Sequence, residues 1–522
     1  MSDPLRRHTL GDILRRTAAR LPGKTAIRCG AACWSYAELE AVCNRLARAL
    51  SRHGIAPGDR VAILARNSHA YVAVRFAVAR LGAVLVPVNF MLQDHEAAYI
   101  LRHAGAKLVC TDPALEPVAR SAAALAAGVI DFLLLPDEDA TQSSNPGLRF
   151  TDLIREPVEP FASEARPDSL AQIIYTSGTE SLPKGVMLTH DAVLWEYVGC
   201  LADAEIAEPD LLLHSMPLYH CAQLDVFLGP ALYVGASNIV TGKPTPDNIL
   251  SLLTRHRVSS FFAPPTVWIS LLRSPAFLPG ALSGLRKGYY GASIMPVEVL
   301  RELLDRLPQM RFWNLYGQTE IAPLATVLKP EDQLRKAGSA GRASLNVEMR
   351  LVDEEGREVA PGEVGEIVHR SPQLLSGYFN DEERTREAFR GGWFHSGDLA
   401  SMDSEGYITI VDRKKDMIKS GGENVASREV EETLYRHPAV SEVAVIGVPH
   451  ERWVEAVLAI VVAKRGAQPS EQSLIDFCRE RLAHFKVPKG IILADSLPKS
   501  PSGKLLKRDL RQRHAKTFFG SS

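Results

Sequence analysis

The sequence predicts an α/β protein in two unequal parts. The larger is an N-terminal domain over residues 1–412, built of βαβ-type subdomains plus a small antiparallel barrel. The smaller is an α+β C-terminal domain over 413–522. Three observations carry this expectation. Short apolar runs alternate with amphipathic segments as in a parallel sheet with crossover helices. From about 338 to 412 the texture changes to short strands and glycine-rich turns, the pattern of a small antiparallel sheet or barrel. The charged stretch Asp412-Arg413-Lys414-Lys415-Asp416 then separates off a short strand-and-helix unit. With 522 residues the chain exceeds one compact core, so more than one domain is expected.

Leu10, Ile13, Leu14 and Leu21 lie near one face and predict a surface helix over 10–21. A hairpin follows, with its tip at Gly30-Ala31 between Cys29 and Cys33. Ser35-Tyr36-Ala37-Glu38 has capping-box form, in which Ser and Glu satisfy two free amides at a helix start. That helix places Leu39, Val42, Leu46 and Leu50 on one side and stops at Gly54. Residues 61–64 read as a buried strand, 69–81 as a helix ending at Gly82, and 84–88 as the next strand. The unit recurs: a helix over 93–103 precedes strand 108–110, and one over 114–126 precedes strand 129–135. Residues 136–168 are acidic, proline-rich and poorly periodic, and read as a surface connection. A second strand series runs through 211–214, 237–240 and 259–262. Beyond the charged stretch, 443–446 and 456–462 form a strand pair and 470–483 a helix.

Bulk composition excludes several classes. Sixty basic residues against 61 acidic ones give a net charge of -1, with no global pull toward nucleic acid or anionic membrane. The seven cysteines are odd in number and form no Cys-x-x-Cys pair, which argues against a disulfide framework or structural zinc and for a reducing compartment. No apolar run has transmembrane length, the N-terminus lacks a signal-peptide core and the C-terminus carries no organelle address. A cytoplasmic protein is the expectation.

The candidate chemistry centres on Tyr175-Thr176-Ser177-Gly178-Thr179-Glu180-Ser181-Leu182-Pro183-Lys184-Gly185, which follows the apolar run 170–174. Small residues let a backbone approach a polyanion, amides and hydroxyls donate to it, and a lysine neutralises it. The Walker A spacing is absent. On its residues alone the loop reads equally as a phosphate cradle or a surface turn. Tyr316-Gly317-Gln318-Thr319-Glu320 offers a flat ring for a purine and oxygens for a hard cation such as Mg2+, although alone it reads first as a strand-end turn. In Trp393-Phe394-His395-Ser396-Gly397-Asp398-Leu399 a carboxylate follows a tight turn, open to ribose hydroxyls or to solvent. Ser420-Gly421-Gly422-Glu423-Asn424 permits close backbone approach or a helix cap. Pro498-Lys499-Ser500-Pro501-Ser502-Gly503-Lys504-Leu505 is a shaped, exposed loop. Pro217-Leu218-Tyr219-His220 and Gly288-Tyr289-Tyr290-Gly291-Ala292-Ser293 set a histidine, aromatics and small residues at strand ends. His220 alone reads as a core histidine, and the tyrosines equally as core aromatics.

Taken together, in this order and across nearly the whole chain, these stretches resemble the adenylate-forming superfamily: acyl-CoA synthetases, firefly luciferase and peptide-synthetase adenylation domains. A fatty-acyl-CoA ligase is the nearest likeness. The resemblance implies an AMP-binding N-terminal domain and a mobile C-terminal domain that turns about the hinge Lys415 between two half-reactions. It implies nucleotide contacts from Thr176, Ser177, Gly178, Thr179, Lys184, Gly291, Ala292, Ser293, Tyr316, Gly317, Thr319, Asp398 and Arg413. Glu320, with Thr179, would hold Mg2+. His220 would gate the carboxylate pocket, and Gly421 and Gly422 would line the path of CoA. Lys504 would be the catalytic lysine, bridging the attacking carboxylate and the α-phosphate. The carboxylate attacks the α-phosphorus of ATP, pyrophosphate leaves, and the CoA thiol takes the acyl group from acyl-AMP. No protein nucleophile is needed. The wall formed by 217–228, 262–267 and 289–295 is largely apolar, which points to a hydrophobic acid of medium or long chain.

Two departures stand out. Thr179-Glu180-Ser181 replaces the usual Thr-Thr-Gly, and Glu180 is expected to point away from the phosphates. Val454 stands where relatives usually carry glycine. The alternative reading is an acyl- or aryl-acid adenylating ligase that loads a separate acyl carrier protein. Amino-acid activation is disfavoured, because Cys221-Ala222-Gln223-Leu224 lacks the Asp-based ammonium anchor and Asp225 lies off that pattern. A luciferase-like oxygenase and a non-catalytic nucleotide-binding scaffold are further readings; Lys504, Glu320 and Asp398 argue against the scaffold. The expected partner is a small-molecule carboxylic acid; a homodimer is left open, and nucleic acid is not expected.

Overall fold

The computed structural model describes residues 7–128, 131–155, 161, 163–176, 182–293, 295–413, 416–420, 423–450, 453–500 and 505–518. An eight-stranded sheet runs in the order Gly377–Tyr378, Lys184–Thr189, Leu170–Thr176, Val84–Pro87, Arg60–Leu64, Ala106–Thr111, Asp131–Leu134, Leu148–Arg149. Arg60–Leu64 pairs in parallel with both Val84–Pro87 and Ala106–Thr111, as a βαβ repeat requires. A nine-stranded sheet has Lys287–Gly291 and Arg311–Gly317 as parallel neighbours and turns antiparallel at Leu324–Leu328. The antiparallel sheet expected within 338–412 has four strands: Glu348–Val352, Val364–Arg370, Phe394–Met402 and Ile408–Arg413. Among the described residues no helix is long and apolar enough to cross a membrane.

Local signals account for the helices. Ser35 and Glu38 exchange both capping-box bonds at the start of Tyr36–Arg52, with Ser35 N–H donating to the Glu38 carboxylate at 2.7 Å. Helix His69–Leu81 is buried along its whole length and ends at Gly82 with φ of 79°, a left-handed cap that suits glycine. In the C-terminal part Val440–His450 and Val454–Ala463 pair antiparallel. Alternate residues feed two separate cores: Val443, Val445, Val457 and Ala459 face one, and Ala444, Ile446, Leu458 and Ile460 the other. Val454 has φ of 67°, a conformation that β-branched residues rarely adopt and that suits glycine, the residue the resemblance leads one to expect there.

Two expectations are corrected. Within 136–168, taken as a surface connection, Leu148–Arg149 joins the sheet and Phe150–Leu153 forms a helical turn whose Phe150 is fully buried. One turn is too short to show a period. The end of the candidate phosphate loop, Lys184-Gly185, opens a strand whose alternate Val186 and Leu188 are buried.

Beneath the sheets lies a buried polar knot. Arg75, on the all-buried helix, sits 3.3 Å from Asp225. Gln172 donates to the other Asp225 oxygen at 2.7 Å, and Tyr197 Oη donates at 3.2 Å. Asp225 lies in a π-helical segment, Ala222–Leu228. Burial also holds four histidines below their ordinary range: His190 to about 3, and His69, His214 and His369 to about 4.

Arg75→Ala strands a buried carboxylate and should cost about 3–5 kcal/mol, read as a lower urea midpoint at unchanged slope. The histidines titrate at 6.5 when unfolded and far lower when folded. Their contribution is therefore intact above pH 6.5 and is lost as pH falls toward 4, because only the unfolded chain takes up those protons. His369→Leu removes one such proton. Between about pH 4.5 and 5.5 it should lessen the stability lost on acidification by about 1.4 kcal/mol per pH unit, measured by denaturant titration.

Candidate active site

The site is built on the segment that leaves strand Arg311–Gly317. Gly317 has no room for a side chain: a Cβ there would lie 1.7 Å from the Pro323 carbonyl oxygen. The turn it permits leads into Thr319–Ile321, so Tyr316 and Glu320 sit on one tightly folded stretch. Each anchors a cluster.

The first cluster surrounds Asp398. Tyr316 Oη donates to its Oδ2 at 2.7 Å, and Arg413 Nε lies 3.3 Å from Oδ1. Sheet register sets the latter pair, since Asp398 and Arg413 face each other on adjacent strands. Gln318 adds a longer bond to Oδ2 at 3.4 Å. Burial, and then the Asp398 charge, push the Tyr316 phenol well above its ordinary value, so it remains a donor. The residues expected at adenine and ribose are thus bonded to one another.

The second cluster surrounds Glu320, whose residue is 5% exposed. Lys184 Nζ lies 2.7 Å from Oε1. Tyr378 Oη lies 2.7 Å from Lys184 Nζ and 3.1 Å from Glu320 Oε1. Thr176 faces Lys184 across the base of the loop, and its Oγ1 is buried with no hydrogen-bond partner recorded among the described residues. An orphaned hydroxyl beside a lysine fits a phosphate oxygen. Carboxylate and hydroxyl oxygens at Glu320 and Thr319 fit Mg2+, which prefers oxygen ligands.

The stretch expected to border the acid begins at His220. Its Nδ1 accepts from the Ala222 amide at 3.2 Å, which leaves Nε2 to carry the proton of the neutral ring. Thr319 Oγ1 lies 3.3 Å from Cys221 Sγ, joining this stretch to the Glu320 segment. Phe227 stacks on Phe262 with centroids 4.5 Å apart. Tyr289 and Tyr290 are both core aromatics, bonded to the Ala204 carbonyl and to Gln333 respectively. Gly291 is required by packing, because a Cβ would lie 2.3 Å from the Leu315 carbonyl oxygen. Ala292, with φ of 62°, and Ser293 are exposed beside it.

Sequence reasoning missed Tyr378 and Asn67. Asn67 clamps both sides of Pro217: its Nδ2 donates to the Met216 carbonyl and its Oδ1 accepts from Leu218 N–H, each at 2.8 Å. A lone Asn after a strand and a Tyr in a two-residue strand carry no spacing signal. Ser177, Gly178, Thr179, Glu180, Ser181, Lys415, Gly421, Gly422 and Lys504 lie outside the described residues.

The model of the AMP-binding enzyme family matches residues 14–379, and that of the AMP-binding enzyme C-terminal domain matches 429–504. The chain is 38% identical to a feruloyl-CoA synthase of an Amycolatopsis species, covering 98% of this chain and 100% of the relative. It is 36% identical to the long-chain-fatty-acid–CoA ligase FadD13 of Mycobacterium tuberculosis, covering 92% and 93%. The crystal structure of ATP-bound MatB from Rhodopseudomonas palustris superposes with a TM-score of 0.89 at 32% identity, covering 98% of this chain and 100% of that one. With its fold, its paired clusters and matches of this extent, the chain belongs to the AMP-binding enzyme family and is an AMP-forming acyl-CoA ligase.

Proposed function

We propose that this ligase activates a hydrophobic carboxylic acid of medium or long chain as acyl-AMP and passes the acyl group to CoA. The single observation that carries the assignment of roles is the meeting of the Asp398 and Glu320 clusters on one stretch, 316–320, beside the His220 wall. In this reading Tyr316 and Asp398 seat the nucleoside, and Arg413 holds Asp398 and the ribose edge. Lys184 and Thr176 take phosphate oxygens. Glu320, with Thr179, would hold a magnesium ion that offsets phosphate charge. His220 borders the acid's carboxylate. Lys504 meets that carboxylate and the α-phosphate as the bond forms and pyrophosphate departs. The C-terminal domain, 413–522, then turns about Lys415, and Gly421-Gly422 border the incoming thiol. Separate hydrophobic cores on either side of the 413–418 segment support such a turn.

A second reading narrows the acid to an aryl one. Phe227 stacks on Phe262 and tilts against Tyr289, and Tyr219 meets Phe90 edge-on at 5.3 Å. The support for a short flat acyl group over an extended chain is the feruloyl-CoA synthase, 38% identical.

Pyrophosphate release and thioester formation over saturated fatty acids and cinnamate-type acids, with and without CoA, decide between these readings. A CoA-dependent thioester with fatty acids supports the first, and one with the aryl acids alone supports the second. No release of pyrophosphate with any of the acids defeats both. Asp398→Asn keeps the shape but removes the charge that fixes Tyr316 and Arg413. It should raise the KM for ATP at least about tenfold and leave the KM for the acid nearly unchanged in steady-state assays.

A further inference from the structure

Tyr378 belongs to none of the motifs that define the site. It stands on the short strand Gly377–Tyr378 at the edge of the eight-stranded sheet, with its Cα opposite Val186 of the strand that Lys184 opens. Its backbone is pinned on both sides: Tyr378 N–H donates to Thr385 Oγ1 at 2.9 Å, and Phe379 N–H to the Gly185 carbonyl at 2.8 Å. The residue is 5% exposed.

Its bonding is directional. An ammonium has only donors and a carboxylate only acceptors, so a neutral phenol between them can be satisfied in one way. Lys184 Nζ donates to Tyr378 Oη at 2.7 Å, and Oη–H donates to Glu320 Oε1 at 3.1 Å. The ring lies beside the ammonium as well, with its centroid 4.3 Å from Nζ. One side chain therefore touches Lys184 through its hydroxyl and the adjoining ring edge, and only the hydroxyl also bonds Glu320.

Nucleotide with a divalent cation asks more of this trio. Lys184 must meet a phosphate and Glu320 a metal, so the 2.7 Å contact between them must open. Resting on the roles proposed above for Lys184 and Glu320, we propose that Tyr378 is the positioning residue of the phosphate end: it shares out the Lys184–Glu320 pair and keeps the ammonium seated against its hydroxyl end as Glu320 turns to the metal. Without the hydroxyl, each charge has the other as its main protein partner, and separating them costs more. Without the ring as well, Lys184 loses its seat.

The test is equilibrium binding of a non-hydrolysable α,β-methylene ATP analogue, titrated calorimetrically over a range of MgCl2 concentrations. Wild type, Lys184→Ala, Tyr378→Phe and Tyr378→Leu are compared. Tyr378→Phe, which keeps the ring and the fold, should bind the magnesium–nucleotide complex about tenfold more weakly and need more MgCl2 for half-maximal binding. Tyr378→Leu should lose about a further threefold. In turnover both should raise the KM for ATP and leave the KM for the acid unchanged. If Lys184→Ala weakens binding but both Tyr378 variants bind as wild type does, this inference alone falls. If wild type binds no analogue, or Lys184→Ala binds it as wild type does, the proposed phosphate site falls and Tyr378's role with it.

Discussion

One buried carboxylate ties the large domain together. Asp225 receives Arg75 from the all-buried helix, Gln172 from the eight-stranded sheet, and Tyr197 from the helix His190–Asp203. It lies on the stretch that is expected to border the acid. A charge with no access to water must be paired and hydrogen-bonded, so these four groups can be buried only in one mutual arrangement. The relative placement of the two halves of the domain, and with it the wall at His220, follows from satisfying that charge. The knot also explains why Asp225 is no substrate anchor: its oxygens are taken up by groups of the protein.

The site above applies the same electrostatics with a different outcome. Lys184 and Glu320 neutralise each other at 2.7 Å, and Arg413 and Asp398 lie 3.3 Å apart. Neither pair is sealed as Asp225 is: the Lys184 and Arg413 side chains retain 23% and 40% exposure. A polyphosphate and a hard cation compete for such half-open pairs, whereas nothing competes for the closed knot. In the proposed reaction no protein nucleophile takes part, so the arrangement of these charges would be most of what the fold has to supply.

Backbone constraints decide where those charges stand. The resemblance implies nucleotide contacts from Gly317 and Gly291. In the fold their missing side chains make room for other backbone, the Pro323 and Leu315 carbonyls. That close packing sets Tyr316 and Glu320 on opposite sides of a tight turn. The nucleotide would thus profit from glycines that need not touch it.

The sequence by itself determined what depends on near neighbours. The Ser35–Glu38 capping box, the helix stop at Gly82 and the strand pair of 443–446 with 456–462 are local patterns, and each has its counterpart in the structure. The resemblance to the adenylate-forming superfamily implied nucleotide or metal contacts from Tyr316, Glu320, Asp398, Arg413 and Lys184. The tertiary structure alone decided which of them touch. Tyr378 bonds Lys184 across 194 residues, and Asn67 grips Met216 across 149. Contacts of that kind arise from sheet register and from the need to satisfy buried polar groups, both of which are properties of the packed chain. They leave no periodicity or spacing behind, so Tyr378, Asn67 and the Arg75–Asp225 pair became visible only once the sheets were assembled.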